Sequence, residues 1–274
     1  MSRITQRSSV APLGMFSQAT SSSAGTGTVD ASFATYTGQK FDTADGRELT
    51  LVSVGATAIT SGLLVSGVAA TATHQGLAVA VPAATPATAG TYKVSVTLGA
   101  SVLNQNSYQG GFLIVVAGTG IGQTLKIASN PGAASSAAGV IITLEDAIIT
   151  TLDATSVVNL IPNPYNNVVV ENHTTLPGAV LGVTLYPLAA SVAPTYNGTT
   201  GVQTAAGVQQ YGYIVSKGIV SCLSDATVAA VGLGIMPSAS TDGCVTVQTA
   251  TGRNIGAAYQ LGVSAQAQAI YIDC

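Results

Sequence analysis

Hydrophobic side chains recur at every second position through much of this chain. Tyr92, Val94, Val96 and Leu98 alternate with Lys93, Ser95 and Thr97, which predicts a strand with one wet face. Shorter runs of the same kind are LTLVSV (49–54), FLIVV (112–116), TLKI (124–127) and NVVV (167–170). Gly, Pro and Asn separate these runs at intervals of roughly 8–15 residues, the spacing of sandwiches and barrels. Asp45-Gly46 and Asn197-Gly198 supply turn dipeptides that tolerate positive φ. Helical signals are weak. Residues 135–138 and 145–152 could each make a turn or two, but EDAIITTL is rich in β-branched residues, whose stiff χ1 favours strand.

After a flexible, polar stretch at 195–206, the pattern tightens. Residues 211–215, 219–223, 229–235, 244–248, 255–261 and 268–272 read as six short strands, with Ser216-Lys217-Gly218 and Asp242-Gly243 among the connections. Small strands at this density predict a closed barrel, because closure removes exposed edges. Residues 1–30 are rich in Ser, Thr, Ala and Gly, a composition suited to an extended arm. The expected fold is therefore all-β. It has an arm over 1–30, a β-sandwich or jelly-roll-like main domain over 31–206, and a small β-barrel over 207–274.

Charge changes the picture more than hydrophobicity does. Of 274 residues only 8 are Lys or Arg and 11 Asp or Glu, so 7% are charged. An ordinary soluble domain carries about 25%. The apolar share, 47%, is normal; Ser, Thr, Asn, Gln and Gly replace the missing ions. Such a surface lacks the repulsion that keeps monomers apart, and it predicts a chain packed against neighbours. Scattered single cations give no basic groove for phosphates, so nucleic acid is not an expected partner. No apolar run is long enough for a membrane helix; residues 178–193 are interrupted by Thr184, Pro187 and Ser191. The N-terminal MSRITQRSSVAPLGMF has no continuous apolar segment and does not read as a secretory signal.

Chemistry-bearing constellations are sparse. His74 and His173 lie far apart, without a local third ligand, and both read as surface or loop residues. The acidic groups Asp42/Asp45/Glu48 and Glu145/Asp146 read as solvated turns. The first is the best calcium candidate, although FDTADGRE lacks the twelve-residue loop pattern. Gly118, Gly120 and Gly122 in AGTGIGQ resemble a nucleotide loop only superficially. A strand, TLKI, follows instead of a helix, so a tight strand-to-strand connection is expected. No G-x-S-x-G elbow occurs. Cys222, Cys244 and Cys274 fit no zinc or haem spacing and read as reduced thiols, with a Cys222–Cys244 bridge left open. No cofactor, metal or catalytic residue is expected.

Several segments resemble auxiliary head proteins of tailed bacteriophages, the decoration or cement proteins outside the major capsid lattice. They are VTLGA (96–100), NQNSYQGGFLIV (104–115), GIGQTLKIASNP (120–131), ITLED (142–146) and, most distinctively, LIPNPYNNVVV (160–170). YGYIVSKGIVSCL (211–223) and GRNIGAAYQ (252–260) resemble a small barrel of phage decoration proteins, with Tyr211-Gly212-Tyr213 where an aromatic YGW is usual. The resemblance implies a virion structural protein without enzymatic activity, made in the bacterial cytoplasm. It would be a homotrimer whose partner is the major capsid protein. On this reading the arm touches the capsid or a neighbouring copy, through Arg3, Arg7, Leu13 and Met15. The alternative is a tail or fibre component, or a module binding host glycans. The absence of Trp and the dispersal of ten tyrosines tell against that alternative.

Overall fold

The computed structural model describes residues 19–20, 37–81, 87–174, 178–249 and 252–274. In chain order the strands are β1 (Ala19–Thr20), β2 (Lys40–Asp42), β3 (Glu48–Ser53), β4 (Leu64–Ser66), β5 (Leu77–Ala80) and β6 (Lys93–Val96). Next come β7 (Phe112–Ala117), β8 (Thr124–Ser129), β9 (Val140–Leu144), β10 (Val157–Ile161), β11 (Val169–Val170) and β12 (Val180–Thr184). The last are β13 (Thr195–Tyr196), β14 (Gln203–Ala205), β15 (Gln210–Ser224), β16 (Gly234–Pro237), β17 (Val245–Val247), β18 (Gly256–Ala258) and β19 (Gln266–Asp273). The only helical element among the described residues is a 3₁₀ turn, Ala72–His74. The chain is all-β, and neither 135–138 nor 145–152 forms a helix.

The chain divides into two compact units, and the division is not sequential. One comprises Ala69–Asn163 and Pro194–Gly207; the other comprises Met1–Val68, Pro164–Ala193 and Val208–Cys274. This differs from a linear cut into 31–206 and 207–274. The physical reason is long-range pairing: β3 and β12 both hydrogen-bond to β15, which ties residues 48–53 and 180–184 to the C-terminal segment.

In the first unit, β10, β5, β6, β9, β8 and β7 close into a barrel. Alternation sends Leu113, Val115, Leu125, Ile127, Val94, Val96, Ile142 and Leu160 inward, where they form one fully buried core. The glycine-rich 118–122 segment joins β7 to β8, which pair antiparallel. Gly118, Gly120 and Gly122 all have positive φ there (75°, 81° and 90°). The segment expected to be flexible, 195–206, carries the hairpin β13–β14.

In the second unit β15 is the spine. Ser216-Lys217-Gly218 does not interrupt it; the strand runs unbroken over fifteen residues. Its first half pairs with β3 on one side and with β12 on the other; its second half pairs with β19 over eight register positions. A parallel contact, Ser224↔Val245, joins β15 to β17, and β17–β16, β16–β18 and β18–β19 complete the ring. Residues 210–273 thus contain a closed five-stranded barrel around Val220, Cys222, Ile235, Val245, Ile270 and Ile272. A further cluster, including Val52, Val54, Val65, Val168 and Ile214, lies under β3, β4 and β15.

Candidate functional site

On the five-stranded barrel, alternate residues of the 259–263 segment carry large exposed apolar side chains: Tyr259 (59%), Leu261 (58%) and Val263 (56%). The 228–232 segment lies alongside, held by Val228 N–H to the Gly262 carbonyl (3.0 Å) and Gly232 N–H to the Ala258 carbonyl (2.8 Å). It adds exposed Val231. Neither stretch 226–240 nor 254–272 contains a charged residue. On the barrel wall Ile219 stands opposite Tyr271, both exposed. Isolated exposed apolar residues are ordinary, whereas contiguous ones without intervening charge mark contact surfaces.

The arm residues Arg3, Arg7, Leu13 and Met15 lie outside the described residues. Of the arm, only β1 is described, and its backbone pairs antiparallel with β15 as Ala19↔Tyr211 and Thr20↔Gln210.

Asp42 stands opposite Glu48 in the β2–β3 register and has no side-chain partner among the described residues, whereas the other acidic groups are committed to neighbours. Asp45 binds the Arg47 guanidinium (Oδ2 to Nε, 2.8 Å) and takes the Thr43 hydroxyl hydrogen bond, which together hold its carboxyl far below the usual range. Glu48 accepts from Lys40 Nζ (2.7 Å) and from the Ser216 hydroxyl (2.8 Å). Glu145 pairs with Lys126 Nζ (2.7 Å), and Asp146 accepts the Lys126 backbone N–H. Asp242 accepts both the backbone N–H of His173 (3.0 Å) and its Nδ1 (2.6 Å), which clasps the 171–174 segment to the β16–β17 turn. Among the described residues, no three His, Cys, Asp or Glu side chains converge as metal ligands. All three cysteines are free thiols. Burial raises the pKa of Cys222 far above the ordinary thiol value, and that of Cys274 to about 11. Neither is an activated nucleophile.

His74 departs from the expected surface position. It is buried at the end of the 3₁₀ turn, with Nδ1 2.8 Å from the Tyr108 hydroxyl and Nε2 3.4 Å from the Ser101 carbonyl. A carbonyl can only accept, so Nε2 carries the proton and Nδ1 accepts from tyrosine. Burial pushes the His74 pKa below its ordinary 6.5, and the Ser101 carbonyl only partly opposes this. A histidine depressed in the folded state gives its full stability above pH 6.5, and that stability is lost as pH falls below it, because the unfolded chain takes up the proton first. Urea melts of wild type and His74→Gln between about pH 7 and 5 are expected to show a shallower pH slope in the variant. Equal slopes would remove His74 from the account.

The sequence reading missed a groove of about 720 Å³ on the six-stranded barrel. Its floor crosses three strands on their outer faces, through Lys93 of β6, Thr143 of β9 and Ser129 of β8, which are register neighbours. Its wall is the 104–109 turn. The buried Asn130 amide shapes that turn, donating to the Asn104 carbonyl (2.7 Å) and accepting the Tyr108 backbone N–H (2.9 Å). Asn106, held at φ 58°, and Gln105 line the groove above the floor. Only the barrel register assembles these residues, so no local motif announces them. No protein-family model, curated protein or solved structure matches the chain.

Proposed function

We propose that the chain is a structural protein of a phage virion, a decoration or cement protein that sits on the major capsid lattice and bridges neighbouring subunits. It acts as a homotrimer, has no enzymatic activity, and is made in the bacterial cytoplasm before joining the particle. The observation that carries the reading is the uncharged apolar edge of the five-stranded barrel: Val231, Tyr259, Leu261 and Val263 stand exposed on stretches with no ionic group. Desolvating such a surface costs less than desolvating a charged one, so modest contacts repeated by symmetry add up to firm attachment. The segments resembling phage head proteins support the same role. A sandwich or jelly-roll organisation of the main domain and a closed barrel serve it equally, since either pairs the strands and leaves few edges open to unwanted addition.

Two measurements test the reading. Quantitative mass spectrometry of purified particles of the phage encoding the chain is expected to find it at a copy number within a few-fold of the major capsid protein. Sedimentation of the isolated protein is expected to show a trimer that Leu261→Lys with Tyr259→Asp dissociates without unfolding. A few copies confined to the tail would favour the fibre alternative, and a stable monomer absent from particles would refute the proposal.

A further inference from the structure

We propose that the groove on the six-stranded barrel binds an acidic saccharide, a sugar ring bearing a carboxylate, within a glycan chain. This goes beyond the head role and does not depend on it. The first observation is a cation without a counter-charge. Lys93 lines the groove, no carboxylate does, and Lys93 forms no ion pair among the described residues. The other cations in the described residues of this unit are limited to Lys126, which is neutralised by Glu145.

The second observation is that the polar groups around Lys93 are uncommitted. The Asn106 side-chain amide, Gln105 Nε2, Ser129 Oγ and Thr143 Oγ1 have no hydrogen-bond partner among the described residues. Their supports, by contrast, are fully used. Gln105 Oε1 accepts the Gln203 backbone N–H (3.3 Å), and its own N–H goes to the Gly201 carbonyl (2.9 Å). Asn106 is anchored through its backbone N–H to the Asn130 carbonyl (2.9 Å). Free amides and hydroxyls thus project from a fixed frame. Two positions on from Lys93 on the same face of β6, Ser95 is fully buried and its hydroxyl finds no partner. It lies opposite groove-lining Ile141 in register.

The chemistry of the lining selects the ligand class. Amides and hydroxyls both donate and accept, which suits a ligand with several hydroxyls. Ile141, exposed at 37%, and Pro131 offer apolar surface to the C–H face of a ring. A single ammonium matches one carboxylate. A phosphate would call for a guanidinium fork or a cluster of backbone N–H groups, and neither kind of group is part of this lining beyond isolated amides. The volume falls within the roughly 300–1,000 Å³ usual for small-molecule sites. The groove is open along its length, which admits one residue of a longer chain.

Saturation-transfer NMR on the full protein with glucuronic acid, N-acetylneuraminic acid and glucose tests this directly. At least one acidic sugar is expected to bind with a Kd of roughly millimolar, and glucose about tenfold more weakly. Lys93→Ala should weaken the acidic sugar about tenfold, Lys93→Arg should retain it, and Thr143→Val should weaken acidic and neutral sugars alike. Lys93 is exposed, so circular dichroism should show both Lys93 variants folded. The proposal is overturned by the absence of transfer from either acid at about 10 mM. Acidic-sugar binding undiminished by Lys93→Ala overturns it too, as does displacement by equimolar inorganic phosphate, the mark of a simple anion site. None of these results bears on particle copy number, so the two proposals fail separately.

Discussion

Gly118→Ala is expected to destabilise the protein by about 3 kcal/mol or more, whereas Gly122→Ala, four residues on in the same turn, should cost about 1 kcal/mol. Both glycines have positive φ, 75° and 90°, so both alanines carry the left-handed backbone penalty. The difference is space. A Cβ on Gly118 would overlap the Thr155 backbone carbonyl, while one on Gly122 meets nothing within 4 Å. The Thr155 carbonyl cannot retreat easily. Its residue is held by Asp153, which accepts both the Thr155 hydroxyl (2.6 Å) and backbone N–H (2.8 Å). Ser156 adds a hydrogen bond to the Thr119 carbonyl (2.7 Å). Urea denaturation should show a lower midpoint for Gly118→Ala with an unchanged slope. Equal losses at the two positions would mean that the 153–156 segment yields, and that the packing account is wrong.

Leu160→Ala is expected to cost about 2–5 kcal/mol by emptying part of the six-stranded barrel. Leu160 of β10 is fully buried, with Leu113 of β7 as its register neighbour. The barrel closes on itself, so its wall cannot collapse inward as an open sheet can, and the cavity term should fall toward the upper half of that range. Ile149→Ala provides the contrast. Ile149 is exposed at 75%, and its truncation should stay within about 0.5 kcal/mol. Thermal or urea melts that rank the two variants the other way would contradict the assignment of the core.

Strands with alternating apolar and polar residues were legible in the sequence. β3, β6, β7 and β8 lie where that alternation places them, but only β7 and β8 keep a wet face: β3 is buried from Leu49 to Ser53 and β6 from Val94 to Val96, polar residues included. β12 was not read as a strand. All five of its residues, VLGVT, are buried, so it presents an apolar run with no alternation, and its register with β15 is set by residues thirty positions away. β4 is buried throughout for the same reason. The C-terminal segment was read as short strands and is a ring of five, but the break at 216–218 was misplaced. Gly218 adopts φ 112° within the ladder instead of ending it, and turn-forming residue types cannot reveal that. The groove was illegible for a different reason: Lys93, Asn106, Ser129 and Thr143 are ordinary polar residues until the barrel closes. His74 looked like a loop histidine because Tyr108, thirty-four positions on, supplies its partner.

β15 belongs to two ladders at once, with β3 and β12 along its first half and β19 along its second. A strand cannot fray at its middle while staying registered at both ends, so disorder entering from either half must pass through Lys217, where the ladders meet. The five-stranded ring and the strands at 48–53 and 180–184 are therefore expected to melt as a single cooperative block. A chain severed just ahead of β15 would leave the ring with half of its longest strand unzipped.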